Sequence, residues 1–425
     1  MTDSAHSSTS PHSSPVNGVG AKSEASDLLR TLLKRGVAEI IVEQEFIQLL
    51  KSGKRLRLKE GFDPSAPDIH LGHVVGLRKL RQLQELGHKV ILIVGDWTAR
   101  IGDPSGQSAT RPMLSPSEIA ANAQTYMKQF FKVVDKDKTE VRWQSEWFDK
   151  FTLDTVIKLT SKFTVAQILA REDFSNRYDS GNPISLAETL YPLLQAYDSV
   201  AIEADVEFGG TDQKFNCLLG RELQQVMGQR PQHVFFTPIL IGTDGTQKMS
   251  KSLGNYIGID EPSTEMYGKL MSIPDSLMLD YFELVTDVTD EEIAEFRGQL
   301  NAQTVNPMTL KKRLAREIIT QFHGKQDADE AEEAFTKVFQ KRELPQQIPE
   351  YAFAASYSQD GLCQVNIAPT LVQEGIVKSN SELKRLLAQG AVELDGTKIG
   401  ANIINARNGS ILKVGKRNFV RIMIK

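Results

Sequence analysis

Two histidines three residues apart and two lysines three residues apart are the groups in this chain most suited to phosphate chemistry. His70 and His73 close the stretch GFDPSAPDIHLGH (61–73), and Lys248 and Lys251 lie in KMSKS (248–252). Pro64 and Pro67 disfavour helix in the residues before them, so the chain up to Asp68 reads as loop. Val74, Val75, Leu77, Leu80, Leu83 and Leu86 then recur at helical spacing. The histidines therefore fall at a loop-to-helix junction. Residues three apart share a helix face, and a helix N-terminus attracts anions. An isolated H-x-G-H is more often a helix cap with incidental histidines, so a phosphate site needs further support.

Four other stretches bear on it. GDPSG (102–106) is a glycine-bounded loop soon after an apolar run. YPLLQAYD (191–198) places Tyr191, Gln195 and Asp198 at i, i+4 and i+7, three polar groups on a face that a core helix would keep apolar. FGGTDQ (208–213) allows close backbone approach at Gly209 and Gly210, followed by the carboxylate of Asp212 and the amide of Gln213. KMSKS follows GTDG (242–245) and reads as a hinged loop carrying two cations. Singly, each of these stretches is also an ordinary turn, a solvated surface segment or a charged loop.

The elements that must position these groups alternate. KVILIVG (89–95) is a short buried strand after the helix that starts near His73, and TPILIG (237–242) reads as another. This order implies an α/β, doubly wound parallel sheet, Rossmann-like, over 26–260. From 261 to 343 helical patterning takes over. TDEE (289–292) forms a capping box, and PMTLKKRLAREIITQF and DADEAEEAFTKVF have helical spacing. LPQQIPE opens a linker over 344–360. In 361–425 a helix (SELKRLLAQG), a hairpin around Asp395-Gly396 and two closing strands make a small α+β domain. Residues 1–25 are Ser-rich with little to bury, which is a disordered composition.

The chain has 425 residues, 40% of them hydrophobic and 24% charged, as in a soluble globular protein. No run of about 18 apolar residues suggests a membrane span, and no apolar core of a signal peptide is present. Cys217 and Cys363 are far apart and form no C-x-x-C, which fits a reducing compartment and argues against a zinc module. The net charge is −4, yet residues 376–425 carry ten Lys/Arg against three acids. A basic tail on an acidic body suits a polyanion partner, or simply a solvated surface.

Taken together and in this order, the motifs resemble one family. H-x-G-H followed by K-M-S-K-S is the signature pair of class I aminoacyl-tRNA synthetases. GFDP, GDPSG, Y-x-x-x-Q-x-x-D and GGTDQ narrow the resemblance to tyrosyl-tRNA synthetases of the bacterial type, over about 35–425. The C-terminal segment resembles their small S-four-type RNA-binding domain.

The resemblance implies a cytoplasmic, homodimeric ligase with L-tyrosine, ATP and tRNA(Tyr) as partners, no tightly bound cofactor, and Mg2+ arriving with ATP. His70 and His73 would contact the ATP phosphates, and Lys248 and Lys251 the leaving diphosphate. Gly61, Asp63, Ser65, Gly72, Gly210 and Asp212 would border the nucleotide. Asp103, Tyr191, Gln195, Asp198 and Gln213 would hold tyrosine, with Asp198 on the phenol.

Two positions depart from the pattern. Lys59, followed by Glu60, stands where many members carry a phenol-reading tyrosine. Gln107 stands where relatives can carry a lysine, and Arg111 could share that electrostatic task. Tryptophanyl-tRNA synthetase, an RNA scaffold that lost catalysis, and a small-molecule adenylyltransferase are the alternatives. Asp198 and the basic tail weigh against the first, the intact His and Lys pairs against the second, and K-M-S-K-S against the third.

Overall fold

The computed structural model describes residue 29 and residues 31–64, 68–104, 114–337, 348–357, 362–415 and 418–425. Ser65, Ser105, Gly106, Gln107, Arg111, residues 1–25 and part of 344–360 lie outside the described residues. The chain divides into two compact units, one of residues up to 261 together with 272–318, the other of 262–271 together with 319–425.

The first unit is built on a six-stranded sheet in the order β1-β6-β5-β2-β3-β4. Its strands are β1 (Glu39–Ile41), β2 (Arg57–Phe62), β3 (Lys89–Val94), β4 (Thr139–Trp143), β5 (Val206–Gly210) and β6 (His233–Thr237). Strands β2 to β6 are parallel, and β1 adds antiparallel at the edge. Val90 to Val94 of β3 are all buried, as a central parallel strand covered on both faces requires. The helix Leu71–Glu85 buries Val74, Val75, Leu77, Leu80 and Leu83 of the face its spacing implied, while Leu86, just past its end, is exposed. Successive strands run outward from β2 through β3 to β4, and the chain then returns to β5 and β6. The order reverses between β2 and β5, and ligands bind outside the carboxyl ends of such a sheet at that crevice.

TPILIG does not form the expected strand. The strand is HVFFT (His233–Thr237), and it stops at Pro238, which has no N–H for a ladder. The helices 278–285 and 290–301 belong to the same unit as the sheet. Arg35 donates to the carbonyls of Phe282, Glu283 and Thr286 near the end of the first of these helices. The second starts at the expected capping box, Thr289 with Glu292.

The second unit contains the helix Lys325–Phe335 and a module with its own core, including Phe353, Val365, Leu371, Leu383, Leu412, Val420 and Ile422. Its strands are β7 (Glu350–Phe353), β8 (Ala355–Tyr357), β9 (Cys363–Asn366), β10 (Val392–Leu394), β11 (Thr397–Lys398), β12 (Ile403–Ala406), β13 (Ile411–Val414) and β14 (Asn418–Ile424). The β10–β11 hairpin turns at Asp395 and Gly396, with φ of 47° and 81°, as an Asp-Gly turn with both central residues left-handed. Part of the stretch expected as a linker is sheet. β7 pairs in parallel with β14 and buries Phe353, and β8 pairs with β9.

Candidate active site

The helix Leu71–Glu85 starts at the carboxyl edge of the sheet, with His70 as its N-cap and His73 in its first turn. The two imidazoles lie 3.9 Å apart, centre to centre, tilted by 30°. A Cβ at Gly72 would come within 3.0 Å of the His70 ring, so glycine is what lets the pair pack this closely. The His70 backbone N–H donates to His73 Nδ1 at 3.2 Å. That places the ring proton of neutral His73 on Nε2. Burial holds His73 down at about 4, aided by the Lys251 charge. Burial, then His73 and the two loop lysines, push His70 well below its ordinary range. Both rings are therefore neutral donors at pH 7, and the positive charge of the site comes from the lysines.

The KMSKS loop is anchored by Asn255, which is buried. Asn255 Oδ1 accepts from the Ser250 N–H at 2.8 Å, and Nδ2 donates to Asp244 at 2.7 Å and to the Lys248 carbonyl at 3.0 Å. Met249 is buried between the two lysines. Lys248 Nζ meets Asp212 at 3.0 Å and Lys251 Nζ lies 3.9 Å from Asp68. Asp212 follows β5, and Gly210 before it admits the aspartate, since a Cβ there would lie 2.8 Å from Asp212 Oδ1. Gly61 sits in β2 beside this edge.

A second cluster is hung on the helix Leu186–Ala201. Tyr191 donates its hydroxyl hydrogen to Asp63 Oδ2 at 2.9 Å, and Thr98 donates to Asp63 Oδ1 at 2.6 Å. Asp198 is buried, with Gln144 Nε2 donating to one oxygen at 2.8 Å and Trp147 Nε1 to the other at 3.2 Å. Burial raises its carboxyl to about 7, against the opposing pull of Lys59. Gln213 donates to Asp103 at 2.8 Å, and Arg171 lies 3.4 Å from the same carboxylate. Gln195 donates to Glu207 at 3.3 Å.

Several of these partners carry no sequence signal. Arg171 is buried and holds Asn216 as well as Asp103, and Asn216 in turn donates to Gln213. Gln144 and Trp147 follow β4 in a segment without a motif. Lys59 is fully buried and paired with Glu207 at 2.8 Å. Glu60, beside it, is raised to about 8 by burial and by Glu207, partly offset by Lys59.

A reversing parallel sheet with a histidine pair at its first crossover helix and a two-lysine loop after its last parallel strand defines a class I aminoacyl-tRNA synthetase. The model of the family of class I tRNA synthetases for Trp and Tyr matches residues 51–340. The chain is 59% identical over 396 residues to the tyrosine–tRNA ligase of Dehalococcoides mccartyi strain 195, covering 93% of this chain and 98% of that one. It is 51% identical over 393 residues to the tyrosine–tRNA ligase of Thermotoga maritima, covering 92% and 96%. The chain belongs to the tyrosyl-tRNA synthetase family. Among solved structures, the Archaeoglobus fulgidus tyrosyl-tRNA synthetase complexed with L-tyrosine superimposes with a TM-score of 0.58 at 25% identity, covering 72% of this chain and 99% of that one. A C-terminally truncated mitochondrial enzyme from Aspergillus nidulans gives 0.61 at 23% identity, covering 73% and 94%.

Proposed function

We propose that this enzyme condenses L-tyrosine with ATP to tyrosyl-adenylate and diphosphate. It then transfers the tyrosyl group to the 3′-terminal ribose of tRNA(Tyr), releasing AMP. The observation that carries the choice of amino acid is Asp198. It is a buried carboxylate held by two donors, on one helix face with Tyr191 and Gln195, and a phenol hydroxyl is a donor it can accept from.

In the first step a tyrosine carboxylate oxygen attacks the α-phosphorus, and the bond to the bridging β-phosphate oxygen breaks. The nucleophile arrives ionised, so no general base is needed, and the protein's work is positioning and charge stabilisation. His70 and His73 donate hydrogen bonds to the phosphates, His73 from Nε2. Lys248 and Lys251 take up the charge that accumulates on diphosphate. Asp103, Tyr191 and Gln195 hold the ammonium, Gln213 steers the carboxylate, and Asp212 meets the ribose with Gly61, Asp63, Gly72 and Gly210 around the nucleotide. Among the described residues no group of three His, Cys, Asp or Glu side chains is arranged for a metal, and magnesium enters with ATP.

For transfer, the module of β7 to β14 presents Lys378, Lys384, Lys398, Arg407 and Lys425 exposed, a basic surface suited to tRNA. Self-association is supported by apolar side chains of the first unit left in water, among them Leu153 and Val165, each 75% exposed, and Leu186, 85% exposed. No helix among the described residues is long and apolar enough to cross a membrane. Charging tRNA(Tyr) for translation would put the enzyme in the cytoplasm. Amino-acid-dependent diphosphate exchange tests the assignment. Tyrosine should support it and tryptophan should not, and the reverse would reassign the pocket.

A further inference from the structure

Lys59 stands where the resemblance led us to expect a tyrosine, as in many members, and it is unusual on physical grounds, since an ammonium that is 1% exposed survives only with partners. Its Nζ donates to Glu207 Oε1 at 2.8 Å, Ser199 Oγ at 2.8 Å and the Gln195 carbonyl at 2.9 Å. All three N–H groups are used. Glu207 is equally enclosed. Its Oε1 also accepts from Gln195 Nε2 at 3.3 Å, while Oε2 accepts from Ser199 Oγ at 3.3 Å and from Gln232. As the carboxylate partner of an ammonium, Glu207 is acceptor-only.

This has a consequence for Gln195. A primary amide has one donor end and one acceptor end, and a half-turn exchanges them. An acceptor fixed beside it admits only the donor end. The Gln195 oxygen is then the end left to face a ligand, and an oxygen is what a substrate ammonium requires. The alternative orientation would point an NH₂ group at a cation.

We propose that the buried Lys59–Glu207 pair is a positioning device for amino-acid recognition: it holds the Gln195 amide in the single orientation that presents its oxygen to the tyrosine ammonium. This rests on the assignment of Gln195 to the ammonium. Lys59 anchors the backbone of the same residue through its carbonyl, so both ends of Gln195 are referred to one ion pair. Neither Lys59 nor Glu207 touches substrate, and the pair's role is exerted through Gln195.

The test compares L-tyrosine with 3-(4-hydroxyphenyl)propionate, which keeps the phenol and carboxylate and lacks the ammonium. Binding of each is measured by equilibrium dialysis. Removing one partner would strand a buried charge, so the pair is removed together as Lys59→Met with Glu207→Leu. Lys59 and Glu207 act on Asp198 in opposite senses, and any change there touches the phenol contact of both ligands alike, so the readout is their ratio: the preference for tyrosine should fall about tenfold. Gln195→Glu added to that double variant should restore the preference, because a carboxylate presents an oxygen whichever way it turns. The same change in the wild-type background should not help, since it sets a second carboxylate against that of Glu207. If the double variant does not fold, Glu207→Asp keeps the charge and withdraws its oxygen by one methylene, and should lower the preference about threefold.

Equal loss of both ligands would mean the pair only supports the fold and would overturn the proposal. Gln195→Ala separates the two levels. If it leaves the preference intact, the assignment of Gln195 to the ammonium fails and the device with it. If it abolishes the preference while loss of the pair does not, the assignment stands and only the positioning role is lost.

Discussion

Lys248 lies 3.0 Å from Asp212, an ion pair joining the loop after the last parallel strand to the turn after β5. Lys251, by contrast, stands 3.9 Å from Asp68 and is the lysine whose charge weighs on both histidines. One lysine is thus committed to a carboxylate expected at the ribose, and the other is poised at the histidine pair. Both ion pairs are part-exposed and worth little by themselves, so exchanging them for diphosphate contacts costs little.

Lys251→Ala should therefore slow adenylate formation about 100-fold while leaving the tyrosine dissociation constant within about twofold, since a contact that strengthens as charge develops acts on the transition state. Single-turnover measurement of adenylate formation, alongside equilibrium binding of tyrosine, checks this. Weakened tyrosine binding with an unchanged rate would move Lys251 to the other substrate.

The C-terminal module, proposed to hold tRNA, offers a separable effect. Its core is built from residues between Phe353 and Ile422, and β7 belongs to it, so a clean truncation ends the chain before residue 348. The truncated enzyme should keep tyrosine-dependent diphosphate exchange within about threefold and lose charging by about 100-fold or more. The affinity of the full chain for tRNA should fall steeply with salt. Parallel loss of exchange and charging in a folded truncation would contradict a role confined to tRNA.

Glu60 predicts a pH-dependent stability. Its Oε2 is sealed from solvent and has no hydrogen-bond partner among the described residues, although the residue as a whole is only half-buried. Its carboxyl titrates at about 8 in the folded chain against 4.5 ordinarily. A raised acid binds its proton more tightly when folded. The penalty is absent below pH 4.5, grows from there to pH 8, and is complete above. Glu60→Gln should match the wild type near pH 4 and be more stable at pH 9 by about 1–2 kcal/mol, discounted for partial exposure. Urea denaturation at the two pH values measures it.

The motifs of the candidate site were legible in the sequence because each combines a backbone demand with a chemical group: a helix start with His70 and His73, a hinged loop with Lys248 and Lys251, a helix face with Tyr191, Gln195 and Asp198. The partners that hold them were not. Gln144, Trp147, Arg171 and Glu207 act across the sheet from elements distant in sequence, and nothing local distinguishes a buried arginine from a surface one. Lys59 was visible only as a departure from a pattern, and its meaning came from Glu207, 148 positions away. TPILIG misled because apolar content outweighed Pro238, while β7 was hidden by the prolines before it. A strand at a sheet edge needs only half of its backbone groups paired and tolerates such flanks.

Asp198 supports the sharpest prediction. With its carboxyl at about 7, the free enzyme is partly protonated at neutral pH, and the ionised form is the better acceptor for a phenol hydroxyl. The kcat/KM for tyrosine, which reports ionisations of the free enzyme, should rise through pH 7 and level off above it. The histidines, both held well below that range, should contribute no step between pH 6 and 8. Phenylalanine brings no hydroxyl and leaves the carboxylate without its ligand partner, a penalty of about 1–3 kcal/mol for a buried polar group. Asp198→Ala should remove both the pH step and that penalty. Tyrosine activity should fall, and the tyrosine-to-phenylalanine ratio should narrow by about 10- to 100-fold. If Asp198 merely braces Gln144 and Trp147, the two amino acids would suffer alike and the ratio would hold. Measuring both kcat/KM values across pH, in a variant shown to melt as the wild type does, distinguishes recognition of the phenol from support of the fold.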